Sequence, residues 1–225
     1  MADVKGTLLP IYFVADESGS MSRVVRELND GLTALLDALH SEAMAAAKVR
    51  FTVLGFSDSL RCYLELADLR DLEAMPQLSA AGSTRYSLAF QDLRTRIDHD
   101  FDRLKAEEYQ VVRPAVFFLT DGQPDADDPW QAALDALKSE TFRRRPNILA
   151  FGVGEARADT ILHVASAEDY AFIAAKGADT GAAIVRFCDS LTRSVVSSGQ
   201  ALATGSAELP VEKPEGFTLA VDVLD

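Results

Sequence analysis

The segment Leu8 to Ala15 is apolar without a break, and it constrains the fold of this 225-residue chain more than any other stretch. A strand with one wet face alternates between apolar and polar residues. A run like this one has to be covered on both faces, so it belongs at the centre of a sheet with helices above and below. It ends in Asp16-Glu17-Ser18-Gly19-Ser20, after which Val25, Leu28, Leu32, Leu35, Leu36 and Leu39 recur at helical spacing.

The same alternation continues along the chain. Val49 to Phe56 and Leu60 to Leu66 read as strands joined by Ser57-Asp58-Ser59, a loop that permits an antiparallel hairpin but is too short for a parallel crossover. Phe90, Leu93, Ile97, Phe101 and Leu104 mark a second helix, Ala115 to Leu119 a strand opened by Pro114, and Asn147 to Val153 another strand. Asp128-Pro129 is expected to cap a helix reaching about Glu140. A short helix over Ala158 to Ser166, a short strand over Tyr170 to Ala174, and a helix carrying Ile184 to Val195 complete the pattern. The expected fold is therefore α/β and doubly wound: a mostly parallel sheet of about six strands, one antiparallel edge strand, and helices on both faces. Residues 1–198 form the expected domain. From Gly199 the composition turns to Gly, Ser, Pro and Glu, so residues 199–225 read as a linker and tail. Phe217 to Leu224 in that tail either adds a strand, here or in a neighbour, or stays disordered.

Charge narrows the partners. The chain has 22 basic and 35 acidic side chains, a net −13, so its field repels phosphate backbones and anionic membranes. Neither nucleic acid nor a membrane is an expected partner. No apolar stretch approaches a membrane span and the N-terminus has no leader-like pattern, which makes the cytoplasm the expected setting. Cys62 and Cys188 fall in different elements and are expected to be buried free thiols.

Three segments place oxygen-bearing side chains at strand ends or helix starts. Asp16, Ser18 and Ser20 leave the first strand at i, i+2 and i+4; Gly82-Ser83-Thr84 precedes the second helix; Thr120-Asp121-Gly122 ends the strand over Ala115 to Leu119. Oxygen donors in such a set suit a hard divalent cation. In an open parallel sheet, ligands gather beyond the carboxyl ends of the strands. Each residue also has an ordinary role open to it, as a helix cap or turn residue.

In order, spacing and placement, these segments resemble the von Willebrand factor type A (VWA) domain and its metal-ion-dependent adhesion site, with Asp16, Ser18, Ser20, Thr84 and Asp121 at the motif positions. The resemblance spans Leu8 to Ser198. It implies a non-catalytic module that holds Mg²⁺, or alternatively Mn²⁺ or Ca²⁺, and uses it to bind an acidic side chain of a protein ligand. Ser18, Ser20 and Thr84 are implied as direct ligands, with Asp16 and Asp121 often acting through water. Asn29-Asp30-Gly31-Leu32, Arg113 to Pro124 and Phe151-Gly152-Val153-Gly154 further resemble the bacterial tellurium-resistance TerY-type branch, which implies a stress-response or signalling role beside a protein kinase or phosphatase. Arg85 and Tyr86 stand where the family often has small or apolar residues, and are expected either to narrow the mouth of the metal site or to supply a cation and an aromatic contact for an acidic partner.

Other chemistry is less well supported. A metal-dependent phosphoryl-transfer enzyme using Asp16 is the alternative, but Ser18 stands where a second carboxylate is wanted and no His or Lys lies nearby to act as acid. There is no P-loop, no complete dinucleotide fingerprint and no G-x-S-x-G. Asp125, Asp127 and Asp128 lack the glycine and terminal Glu of a calcium loop, and read as loop and capping residues. Arg143-Arg144-Arg145 reads as a solvated helix end, and His40, His99 and His163 show no recurrent ligand spacing.

Overall fold

A computed structural model describes residues 4–207 and 209–224. The chain runs β1 (Gly6–Asp16), α1 (Val25–Ser41), α2 (Ala43–Ala46), β2 (Val49–Phe56), β3 (Leu60–Ala67), α3 (Tyr86–Ala106), β4 (Tyr109–Val111), β5 (Ala115–Thr120), α4 (Trp130–Lys138), β6 (Asn147–Gly152), α5 (Ala158–Val164), β7 (Ala171–Ala174), α6 (Thr180–Ala203), β8 (Phe217–Leu219) and α7 (Val221–Leu224).

One open sheet has the order β3-β2-β1-β5-β6-β7-β8, with the short β4 pairing the start of β1. The strands from β2 to β7 in this order are parallel. At one edge β3 turns back antiparallel on β2, as the short hairpin loop requires. At the other edge β8 lies antiparallel on β7, Phe172 opposite Leu219, so the first part of the tail's apolar stretch completes this molecule's own sheet, while Val221–Leu224 forms the short α7 rather than strand. Among the described residues the sheet thus has eight strands rather than about six, and two antiparallel edges rather than one.

The run from Leu8 to Ala15 is buried throughout. Period-two geometry divides it between two cores: Leu9, Ile11, Phe13 and Ala15 face α1 and α6, while Tyr12 and Val14 face α3, α4 and α5. β5 divides likewise, Phe117 toward the first core and Phe118 toward the second. Each buried Phe, Leu or Ile contributes roughly 1.5–3 kcal/mol, so covering both faces of two adjacent strands is the main stabilising feature of the centre.

Three local expectations change. α6 continues to Ala203, past the composition shift at Gly199. Gly199 is a packing residue: a Cβ there would sit 2.5 Å from the Ala45 carbonyl oxygen, so the absent side chain lets α6 lie on α2. Cys62 is exposed on the edge strand and only Cys188 is buried. Arg144, rather than ending a helix in water, bonds Asp98 and Asp102 of α3 and covers the Phe101 ring.

Candidate metal centre

β1 lies between β2 and β5, so consecutive connections leave it in opposite directions and a crevice opens beyond its carboxyl end. Ala15 pairs with Leu119, which sets Asp16 beside Thr120 and Asp121. Four of the residues singled out in the sequence meet there. Asp16 Oδ1 accepts from the Ser18 N–H at 2.8 Å, Ser18 and Ser20 share a hydroxyl hydrogen bond of 3.0 Å, and the Ser20 hydroxyl donates to Asp121 Oδ1 at 2.7 Å. A hydroxyl that gives its proton to a carboxylate keeps its lone pairs for another partner.

Thr84 is buried and arrives from the side. Among the described side-chain hydrogen bonds its hydroxyl makes none to the other four residues; main-chain bonds place it. The Gly19 N–H donates to the Gly82 carbonyl at 3.1 Å, and the Thr84 carbonyl accepts from the Asp125 N–H at 2.9 Å. Gly82 has φ +88°, a conformation in which a side chain is strained, and a Cβ there would also press to 2.9 Å from the Asp58 carboxyl.

The supporting residues were not legible as such in the sequence. Thr120 is fully buried and donates to Asp16 Oδ2 at 2.7 Å. Glu17 is buried too; its Oε1 accepts from the Tyr63 hydroxyl at 2.6 Å and the Ser79 N–H at 2.9 Å, and its carbonyl from the Ala81 N–H at 2.7 Å, so it holds the segment leading to Thr84. The acids after β5 grip the start of α3. Asp125 Oδ1 accepts from the Thr84 N–H at 3.4 Å, Asp127 pairs with Arg85 at 3.5 Å, and Asp128 Oδ2 accepts from the Ser87 N–H at 3.1 Å. Asp128 therefore caps α3 and not the helix that follows it. The residue before Trp130 at the start of α4 is Pro129, which has no side-chain donor or acceptor.

Tyr86 requires a correction. It is fully buried, its hydroxyl donates toward Thr120 Oγ1 at 3.0 Å and the Gly122 carbonyl at 3.1 Å, and its ring packs edge-on against Phe56, Phe118 and Trp130. An aromatic side chain with an apolar surround for its ring and partners for its hydroxyl is a core residue, so Tyr86 is not a partner contact. Arg85 keeps about a third of its side chain exposed.

The electrostatics favour a cation. Burial pushes the Asp16 carboxyl up to about 6, although Thr120 and Ser18 hydrogen bonds oppose the shift. Burial also raises Asp121, against the Ser20 bond. No basic side chain offsets either group among the described residues. Two buried carboxylates without a cation form a donor set that fits a divalent metal. A cleft of about 720 Å³, bordered by Ser20, Arg23, Glu27, Asp121, Glu155 and Asp179, opens at this end of the sheet.

The model of the von Willebrand factor type A domain matches residues 11–184, most of the chain and all five of these positions. This chain belongs to the VWA family. Its VWA fold is similar to that of the pilus adhesin SpaC from Lactobacillus rhamnosus GG in its open conformation, at TM-score 0.66 and 14% identity over 86% of this chain and 30% of that one. A von Willebrand factor type A protein from Catenulispora acidiphila is similar at 0.54 and 15% over 84% and 43%. Proximal thread matrix protein 1 from the mussel byssus, in a form with a zinc-occupied adhesion-site motif, is similar at 0.59 and 16% over 85% and 48%. The VWA chain spans less than half the length of each. Comparison with curated proteins finds no match.

Proposed function

We propose that this VWA domain is a non-catalytic protein-binding module in which Asp16, Ser18, Ser20, Thr84 and Asp121 hold a divalent cation, Mg²⁺ with Mn²⁺ or Ca²⁺ as substitutes. The observation that carries this reading is the hydrogen-bonded chain from Asp16 through Ser18 and Ser20 to Asp121, which ends in two buried carboxylates without a basic partner. Bound there, the ion supplies an open position for an anionic oxygen. The zinc in the mussel protein's corresponding motif supports metal occupancy of this type of site.

The chain's own residues set what such a site accepts. Two acids balance a divalent charge, and the hydroxyls add lone pairs without further neutralisation, so an incoming Asp or Glu is favoured over a base. Arg85, held near the Thr84 loop by Asp127, is the proposed second contact for an acidic partner. Asp16 is 1% exposed with both oxygens engaged by Ser18 and Thr120, which speaks against its use as a nucleophile in phosphoryl transfer. A TerY-type role in a cytoplasmic bacterial stress-response system, with an associated kinase or phosphatase as partner, belongs to the same proposal and rests on the motif resemblance.

Affinity capture from a cell extract with immobilised protein tests it. Partners retained in Mg²⁺, released by chelator, lost with Asp121→Ala and weakened with Arg85→Ala are expected. Identical capture with and without metal overturns the metal-bridged reading. Turnover of a generic phosphoester that Asp16→Asn abolishes overturns the non-catalytic one.

A further inference from the structure

Away from the strand ends, three ligand-type side chains from two elements converge on the α3 side of the sheet. Glu65 comes from β3, His99 and Asp100 from α3, and one ligand atom of each lies within 4.8 Å of the others. Asp100 is 0% exposed, yet its oxygens are used unequally. Oδ2 accepts from the Tyr12 hydroxyl at 2.9 Å. Among the described residues Oδ1 has no hydrogen-bond partner, and it lies 3.6 Å from His99 Nδ1. A buried acceptor left unsatisfied is costly, so this oxygen is poised for a positively charged partner within the cluster.

We propose that Glu65, His99 and Asp100 form a second divalent-metal site, one that takes a borderline ion of the zinc type. The imidazole nitrogen selects the class, because Mg²⁺ and Ca²⁺ favour all-oxygen shells whereas Zn²⁺ readily combines His with carboxylates. The spacing agrees: ligands at about 2.0–2.1 Å around a tetrahedral ion lie roughly 3.4 Å apart, close to the His99–Asp100 separation. Tyr12 is the outer partner that orients Asp100, the role such hydrogen bonds have around metal ligands. Glu65 and His99 are exposed, which gives the ion an entry route and leaves its fourth position to water. Arg96 bonds Glu65 Oε1 at 3.0 Å, but its charge is also shared with Asp92 through bonds of 2.7 and 3.2 Å, and the second Glu65 oxygen is free of it.

Calorimetric titration of zinc chloride into the untagged, metal-free full chain tests the site. Asp121→Ala, which disables the strand-end cluster, is expected to keep one zinc equivalent; adding His99→Ala removes it, and Glu65→Gln weakens it roughly tenfold or more. Cobalt(II) in the Asp121→Ala protein is expected to give the visible absorption of a four-coordinate nitrogen–oxygen site, lost with His99→Ala. Since His99 is exposed, the single His99→Ala variant gives a second readout against the unmodified chain, a drop of one zinc equivalent. Unchanged zinc binding on losing His99, as expected if His99 only forms an ion pair with Asp100, overturns the proposal. So does an absence of zinc binding in an Asp121→Ala protein of native circular dichroism. If Asp121→Ala leaves metal binding intact while His99→Ala removes it, this site stands and the strand-end reading falls.

Discussion

Asp16 carries the sharpest conflict in the molecule, a carboxylate that the strand end buries and that the proposed metal site requires to be ionised. Its ordinary value is 3.8 and its folded value about 6, so between these pH values the native state holds a proton that the unfolded chain has released. In metal-free protein this group's contribution to stability is therefore present at low pH and is lost as pH rises through about 6. Metal binding demands the opposite charge state. Mn²⁺ affinity is expected to fall by about tenfold per pH unit below 6, and calorimetric affinities that stay flat between pH 5 and 7 contradict this. Asp121→Ala removes both a carboxylate and the acceptor that orients Ser20, and is expected to lower Mn²⁺ affinity by roughly tenfold or more with an unchanged far-ultraviolet spectrum. Asp16, Ser18 and Ser20 were legible from their spacing after the strand, and Asp121 and Thr84 joined them through the likeness of their strand-end and helix-start segments to the VWA motif. Thr120 and Glu17 were not, since their partners, Tyr86, Tyr63 and Ser79, come from distant segments.

Among the elements, α3 illustrates how tertiary contacts override local signals. Its apolar spacing announces a helix, yet its first turn is held by Asp128 from another loop and by the Tyr86 hydroxyl beneath the β5 end. Tyr86→Phe leaves the ring packing intact and deprives the Gly122 carbonyl and Thr120 of a donor. It is expected to destabilise the protein by about 1–3 kcal/mol, measured as the urea midpoint, and to weaken metal binding through the displaced Thr120–Asp16 bond. On the opposite face, Gly199→Ala separates two effects of opposite sign. Helix propensity alone makes Ala the stabilising residue by about 1 kcal/mol, whereas the clash with Ala45 is expected to lower stability by about 1–3 kcal/mol. A rise in the urea midpoint would show that α6 and α2 are not in close contact at that point. A glycine at the start of a polar, Pro-containing segment looks like a linker, and its packing role is visible only once the partner helix is in place.

For the molecule as a whole, the layer order and the central position of β1 followed from hydrophobic periodicity, because a strand buried on both faces has few alternatives. The edges followed in part. The antiparallel hairpin of β3 on β2 and a possible added strand from Phe217 were legible, but β4, a three-residue pairing after a helix, gives no periodic signal, and the short β8 pattern left open whether its partner was this molecule or a neighbour. Without β8 the backbone groups of β7 are unpaired on one side, an edge available to another chain. Removing residues 209–225 is expected to lower the thermal midpoint and to produce concentration-dependent association in size-exclusion chromatography; a monomeric truncation of unchanged midpoint argues that the strand is dispensable. The grip of the Asp125 to Asp128 loop on α3 has a mechanical meaning too. The helix is 21 residues long, a rod of roughly 30 Å, and its leading end is tied to the rim of the crevice. An occupant that displaced that rim would load the bonds from Asp125, Asp127 and Asp128 that anchor the rod, so the leading end of the helix is where occupancy and helix position would meet first.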